Sequence, residues 1–173
     1  MLGRRKAIAL GGGVIAALAV AVPSGSAQAP PGSTTLSLYE PANGGTFRIV
    51  DNKPRSPVRN PESRRYRFSA GDVVIFTNPL LDRKGGTRVG TLYVKGTIVR
   101  GRTFRNVKTL AQVTVELTDG SQLNAVGLFS FSSDDVRLAI TGGTGRYIGA
   151  RGEVVSKSNP DDSSQDTVTL LPL

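Results

Sequence analysis

From residue 36 onward the apolar positions recur every second residue, in short runs separated by turn-forming residues. Such runs occupy 36–40, 46–50, 71–77, 88–100, 103–117, 123–131, 136–141, 146–156 and 167–171. A period of two is the mark of a strand with one face buried. The clearest case is 123–131, where Leu123, Ala125, Gly127, Phe129 and Phe131 share one face. Asn78-Pro79 is expected to end the third run in a turn, and Asp119-Gly120 is a hairpin signal. No helical period of ten or more residues follows residue 29. Eight or nine strands with short turns predict an all-β sandwich or an up-and-down barrel. Closure removes the free strand edges, so the barrel is the expected form.

Two stretches depart from the alternation. Between Ala139 and Val155 lie Gly142, Gly143, Gly145, Gly149 and Gly152, flanked by β-branched residues. This reads as strand, irregular turn, then a strand approached closely by another backbone. It is no phosphate loop, since Gly143-Thr144-Gly145 lacks the following Lys-Ser/Thr and no helix is indicated. Residues 51–67 carry Pro54, Pro57 and Pro61 among Lys53, Arg55, Arg59, Arg64, Arg65 and Arg67. They are read as a solvated loop, or as a patch drawn to anionic envelope polymers or lipid head groups. With Tyr66 as its one aromatic residue, the loop offers no stacking platform for nucleic acid.

The chain opens with a different pattern. Arg4, Arg5 and Lys6 precede an apolar run over 7–22 and then small residues, the layout of a signal peptide. Residues 1–27 are assigned to it, with a second cleavage option at 29. A secreted bacterial protein is expected, exported by the Sec route or, given Arg4-Arg5, the twin-arginine route. Residues 28–173 then form one domain, long enough for a real core. Removing three basic residues takes the net charge from +9 to +6.

Composition narrows the chemistry. The chain has neither cysteine nor histidine. That excludes Ser-His-Asp and Cys-His nucleophile systems and nearly every zinc site. No cofactor or metal is expected; the nearest carboxylate pairs, Asp134-Asp135 and Asp161-Asp162, read as turn residues. Proton transfer would fall to Glu, Asp, Lys or Tyr.

Three segments in order resemble the allene oxide cyclase and dirigent superfamily. They are Leu38-Tyr39-Glu40, the block from Gly71 to Leu80 with Arg88-Val89-Gly90, and the Gly-rich block from Ala139 through Gly152. The last is similar to a GGTG-x-[FY]-x-GA-x-G signature. The resemblance implies an eight-stranded antiparallel barrel around an apolar cavity, assembled as a homotrimer in many members. It implies action by confinement, steering cyclisation or isomerisation of a small apolar molecule. It also implies roles for Glu40 in charge rearrangement and for Asn78 in holding a water. Ala42 replaces an asparagine of the cyclases, their Ser-Pro pair falls on Arg48 and Ile49, and their strand cysteine has no equivalent. True allene oxide cyclase activity is therefore not expected.

Parity bears on these candidates. Glu40 shares a face with Leu36 and Leu38, so it turns inward if they do; otherwise it ends the strand in water before Pro41. Asn78 either enters the pocket or begins a turn with Pro79. Tyr93 either lines a cavity or packs within a strand, and Arg151 reads as exposed. A steering isomerase and a non-catalytic binding barrel at the envelope both remain open, with a filled structural barrel behind them.

Overall fold

The computed structural model describes residues 30–61 and 63–172; the leader assigned to residues 1–27 lies outside them. Nine strands follow in chain order: β1 (Thr34–Glu40), β2 (Thr46–Val50), β3 (Val73–Leu81), β4 (Arg88–Arg100), β5 (Lys108–Leu117), β6 (Gln122–Phe129), β7 (Asp135–Thr144), β8 (Gly152–Ser158) and β9 (Ser164–Leu170). Among the described residues a single 3₁₀ turn, Gly145–Tyr147, interrupts them.

From β2 to β9 each strand pairs antiparallel with the next. β1 pairs along its whole length with β9, from Thr34↔Leu170 to Glu40↔Ser164. It also meets β3 at Tyr39↔Leu81, which closes the ring. β2 lies farther along the same edge of β3, from Thr46↔Thr77 to Val50↔Val73. β1 and β2 are thus successive pieces of one strand position, and the nine segments form a closed eight-stranded barrel. The break between them, residues 41–45, frames the candidate site.

That break also explains why Asn78-Pro79 does not end its strand. β3 runs on through Pro79 to Leu81, with Pro79 opposite Thr91 of β4. On its other side lies the gap between β1 and β2, where no partner asks for the N–H that proline lacks. Two other expected strands are shorter than the alternation suggested. Residues 103–107 form a turn before β5, with Asn106 Oδ1 accepting from the N–H groups of Arg102 (2.9 Å) and Thr103 (2.8 Å). Residues 145–151 form the 3₁₀ turn and its exit, and β8 begins only at Gly152. An Asp135 expected in a turn is instead the first residue of β7.

The inward faces carry the core. Leu123, Ala125, Phe129 and Phe131 are all buried, as the alternation in 123–131 predicts. At one end of the barrel the Gly-rich block folds back so that Tyr147 packs into the core over Gly143. Gly152 sits at φ +151°, where a Cβ would fall 1.9 Å from the Thr169 carbonyl oxygen. β8 and β9 touch there at backbone distance.

The other end is covered by the loops. Lys53, Arg55, Arg59, Arg64 and Arg65 are exposed on the basic loop. The loop is more than a solvated chain, however. Asn52 N–H donates to Asp72 Oδ1 at 2.8 Å, and Arg67 N–H to Ser56 Oγ at 3.1 Å. Its exit buries Tyr66 and Phe68, and the Phe68 ring meets Phe104 edge-on at 4.9 Å. Aromatic burial of this kind outweighs the solvation preference of neighbouring charges.

Candidate functional site

The ring does not fill its own interior. A hollow of about 590 Å³ runs down the barrel, within the range of small-molecule sites. Its mouth lies at the loop-covered end, between Pro41 and Ala42 in the break, Phe104 and Arg105, Ser132, and Asp162 in the β8–β9 turn.

The two walls differ in chemistry. Strands β4 to β7 contribute Leu92, Val94, Val113, Leu123, Ala125, Leu138 and Ile140, without a charged side chain among the lining residues. The facing wall, from β8 through β9 and β1 to β3, carries Ser156, Ser158, Ser164, Asp166, Glu40 and Asn78.

Parity settles Glu40. Leu38 and Glu40 both line the hollow, Glu40 with 8% of its surface exposed, so the inward reading holds over the strand-end reading; Tyr39 between them is buried as well, where β1 meets β3. Asn78 points inward too, on the same face of β3 as Val74 and Leu80. Its Nδ2 donates to Glu40 Oε2 at 2.7 Å, across the place where β1 gives way to the break. Gly45 lies against the carboxamide so closely that a Cβ would fall 1.8 Å from Asn78 Oδ1. The structure thus brings together the two residues singled out by the resemblance.

It adds a third. Asp166 of β9 is 4% exposed and lines the hollow. It stands opposite Leu38 on β1 and Ser156 on β8. Glu40 is therefore its diagonal cross-strand neighbour on the inward face, within reach of a long side chain. Asp166 Oδ1 has no hydrogen-bond partner. Burial pushes the Glu40 carboxyl well above the usual carboxylate range, the Asp166 charge pushes it further, and the Asn78 hydrogen bond opposes both. Burial also raises Asp166, while hydrogen bonds from Ser156 and Glu40 hold it down. The two carboxyls are thus coupled, and burial favours the neutral form of each, of Glu40 most strongly.

Alternation does reach Asp166: Val168 is buried and Asp166 shares its parity. The strand expected over 167–171 begins one position after it, whereas β9 begins at Ser164. Tyr93 faces outward, 43% exposed, with its hydroxyl donating to Glu116 Oε2 at 3.1 Å, so it does not line the hollow. Arg151 is exposed and donates to the Thr141 carbonyl at 3.1 Å. Arg146 is also exposed, paired with Asp119 at 3.3 Å and stacked over the Tyr147 ring at 5.0 Å.

A closed barrel with a one-sided apolar hollow defines the class, and sequence comparison agrees. The Dirigent-like protein family model matches residues 35–171, and the chain belongs to that family. Similar solved structures include a pyocyanin demethylase, 23% identical with a TM-score of 0.58, over 80% of this chain and 100% of that one. A pterocarpan synthase dirigent protein is 19% identical with a TM-score of 0.58, over 83% of this chain and 97% of that one. A Diels–Alderase from Streptomyces koyangensis is 14% identical with a TM-score of 0.52, over 85% of this chain and 72% of that one. At these identities the likeness is one of fold. Among curated proteins no sequence match is found.

Proposed function

We propose that this barrel binds a small apolar molecule and steers its cyclisation or isomerisation by confinement. The observation that carries the reading is the hollow of about 590 Å³ with Glu40 and Asp166 buried in its wall. A dry, shaped cavity holds a flexible reactant near its reactive geometry and keeps water from the reacting atoms. Glu40, protonated through its burial, donates to a basic atom of the reactant, and Asp166 stabilises the positive charge that develops. Asn78 fixes the Glu40 carboxyl from the β3 side. Solved structures of similar fold that act as a pterocarpan synthase and as Diels–Alderases lend support to the steering role.

The non-catalytic alternative uses the same hollow. In that reading the barrel carries or sequesters its ligand, and the acid pair serves recognition alone. Export to the cell envelope belongs to the proposal through the leader at residues 1–27. Exposed Lys53, Arg55, Arg59, Arg64 and Arg65 support contact with anionic envelope polymers. Exposed Leu110 and Leu128, paired across β5 and β6, support homotrimer formation.

The test is native mass spectrometry of protein purified from its own host, with identification of the released molecule. An apolar molecule with a group able to cyclise is the expected result. Protein that carries nothing and takes up no apolar probe overturns the reading.

A further inference from the structure

The charge inside the hollow is unbalanced. Glu40 and Asp166 lie in its wall, and among the lining residues the one basic side chain is Arg105, exposed at the mouth beside a third acid, Asp162. Glu40 spends one oxygen on Asn78, but Asp166 Oδ1 is buried without any partner. An unpaired carboxylate oxygen in an apolar setting is costly, and a fixed protein counter-ion normally answers it. Here the wall across from it, β4 to β7, supplies only apolar side chains. With no basic side chain in the buried wall, the complement to the unpaired Asp166 oxygen is a positive charge on what fills the space.

Resting on the proposed binding function, we infer that the occupant of the hollow is an apolar cation, its positive charge seated against Glu40 and Asp166 and its hydrocarbon body against β4–β7. A flat or compact ring system carrying a charged nitrogen matches both walls at once. An apolar carboxylate does not, because its charge would meet the Asp166 carboxylate and no buried base. Phe104, Phe129 and Phe131 also line the hollow, and a cation is attracted to the face of an aromatic ring.

The inference is tested with three probes of one shape and different charge: 9-aminoacridine, a cation; 9-anthracenemethanol, neutral; and 9-anthracenecarboxylate, an anion. Fluorescence titration of the intact protein at neutral pH is expected to show the cation bound at least tenfold tighter than the neutral probe, with the anion weakest. In Glu40→Gln/Asp166→Asn the ratio of cation to neutral-probe affinity is expected to fall to about one. Asp166→Asn alone is expected to remove most of the cation's advantage, and serves as the test should the double variant fail to fold by circular dichroism. A cation bound no tighter than the neutral probe overturns the inference and leaves the apolar-binding function standing. An advantage that survives in the folded variants overturns it too. If none of the three probes binds, the inference and the proposed function fall together.

Discussion

The two ends of the barrel solve opposite problems. At the Gly-rich end the backbones of β8 and β9 close to within the space of a missing Cβ, and Tyr147 fills what remains. At the loop-covered end the closing strand is broken between β1 and β2, and side chains rather than backbone meet across the gap. Glycines let backbones close up at the sealed end; at the open end a break in the strand lets Asn78 reach Glu40, with Gly45 packed against the carboxamide. The same device, a local departure from regular pairing, serves both ends with different residues.

The sealed end predicts the largest loss. Gly152→Val places a branched side chain against the Thr169 carbonyl in a backbone conformation that only glycine adopts freely. A loss of about 3 kcal/mol or more in chemical denaturation, or failure to fold, is expected. Gly120→Ala, at a turn where nothing lies within 4 Å, is expected to cost only about 1 kcal/mol for its positive φ. Equal losses at the two glycines would break the contrast between a close approach and a simple turn.

At the open end the effect is on turnover. Glu40→Gln is expected to fold and to abolish any steering activity on the native ligand, by two orders of magnitude or more. Unchanged product formation in that variant would remove Glu40 from the mechanism. Its stability also carries a signature. The folded-state pKa values of Glu40 and Asp166 are raised, so their protonated forms favour folding. That stability is fully present below the ordinary carboxylate range and is lost as pH rises through the raised values. The melting temperature is expected to fall from mildly acidic toward neutral pH, and Glu40→Gln to flatten the decline. A melting temperature that stays flat over that window would place the acids in solvent.

The apolar wall separates volume from chemistry. Ala125→Leu fills part of the hollow opposite the acids and should weaken ligand binding tenfold or more, with stability altered by about 1 kcal/mol at most. A variant that binds as well as the unmodified protein would mean that the ligand sits elsewhere. The smallest effect is expected outside the barrel, where Lys84 pairs with Asp161 at 2.6 Å in full solvent. Lys84→Ala should leave the melting temperature unchanged within error.

Much of this arrangement is legible in the chain. Period-two alternation gives the all-β class and the inward sets of 123–131 and of 36–40, because a strand places every second side chain on one face whatever its neighbours are. The glycine block declares a close backbone approach by the absence of side chains. Two strands, 46–50 and 88–100, are found with the bounds that alternation gives them. What alternation cannot supply is which strand lies beside which. Asn78-Pro79 looks like a turn until the gap between β1 and β2 is seen to lie next to it. Asp166 is an ordinary polar residue at a strand start until pairing sets it diagonal to Glu40, more than a hundred residues earlier. Tyr66 reads as part of a charged loop until Phe68 and Phe104 bury that segment. Local sequence thus determined the direction of each side chain relative to its own strand. Ring closure alone decided which side chains face one another, since that depends on register between distant segments, and the coupling of Glu40 to Asp166 exists only because of it.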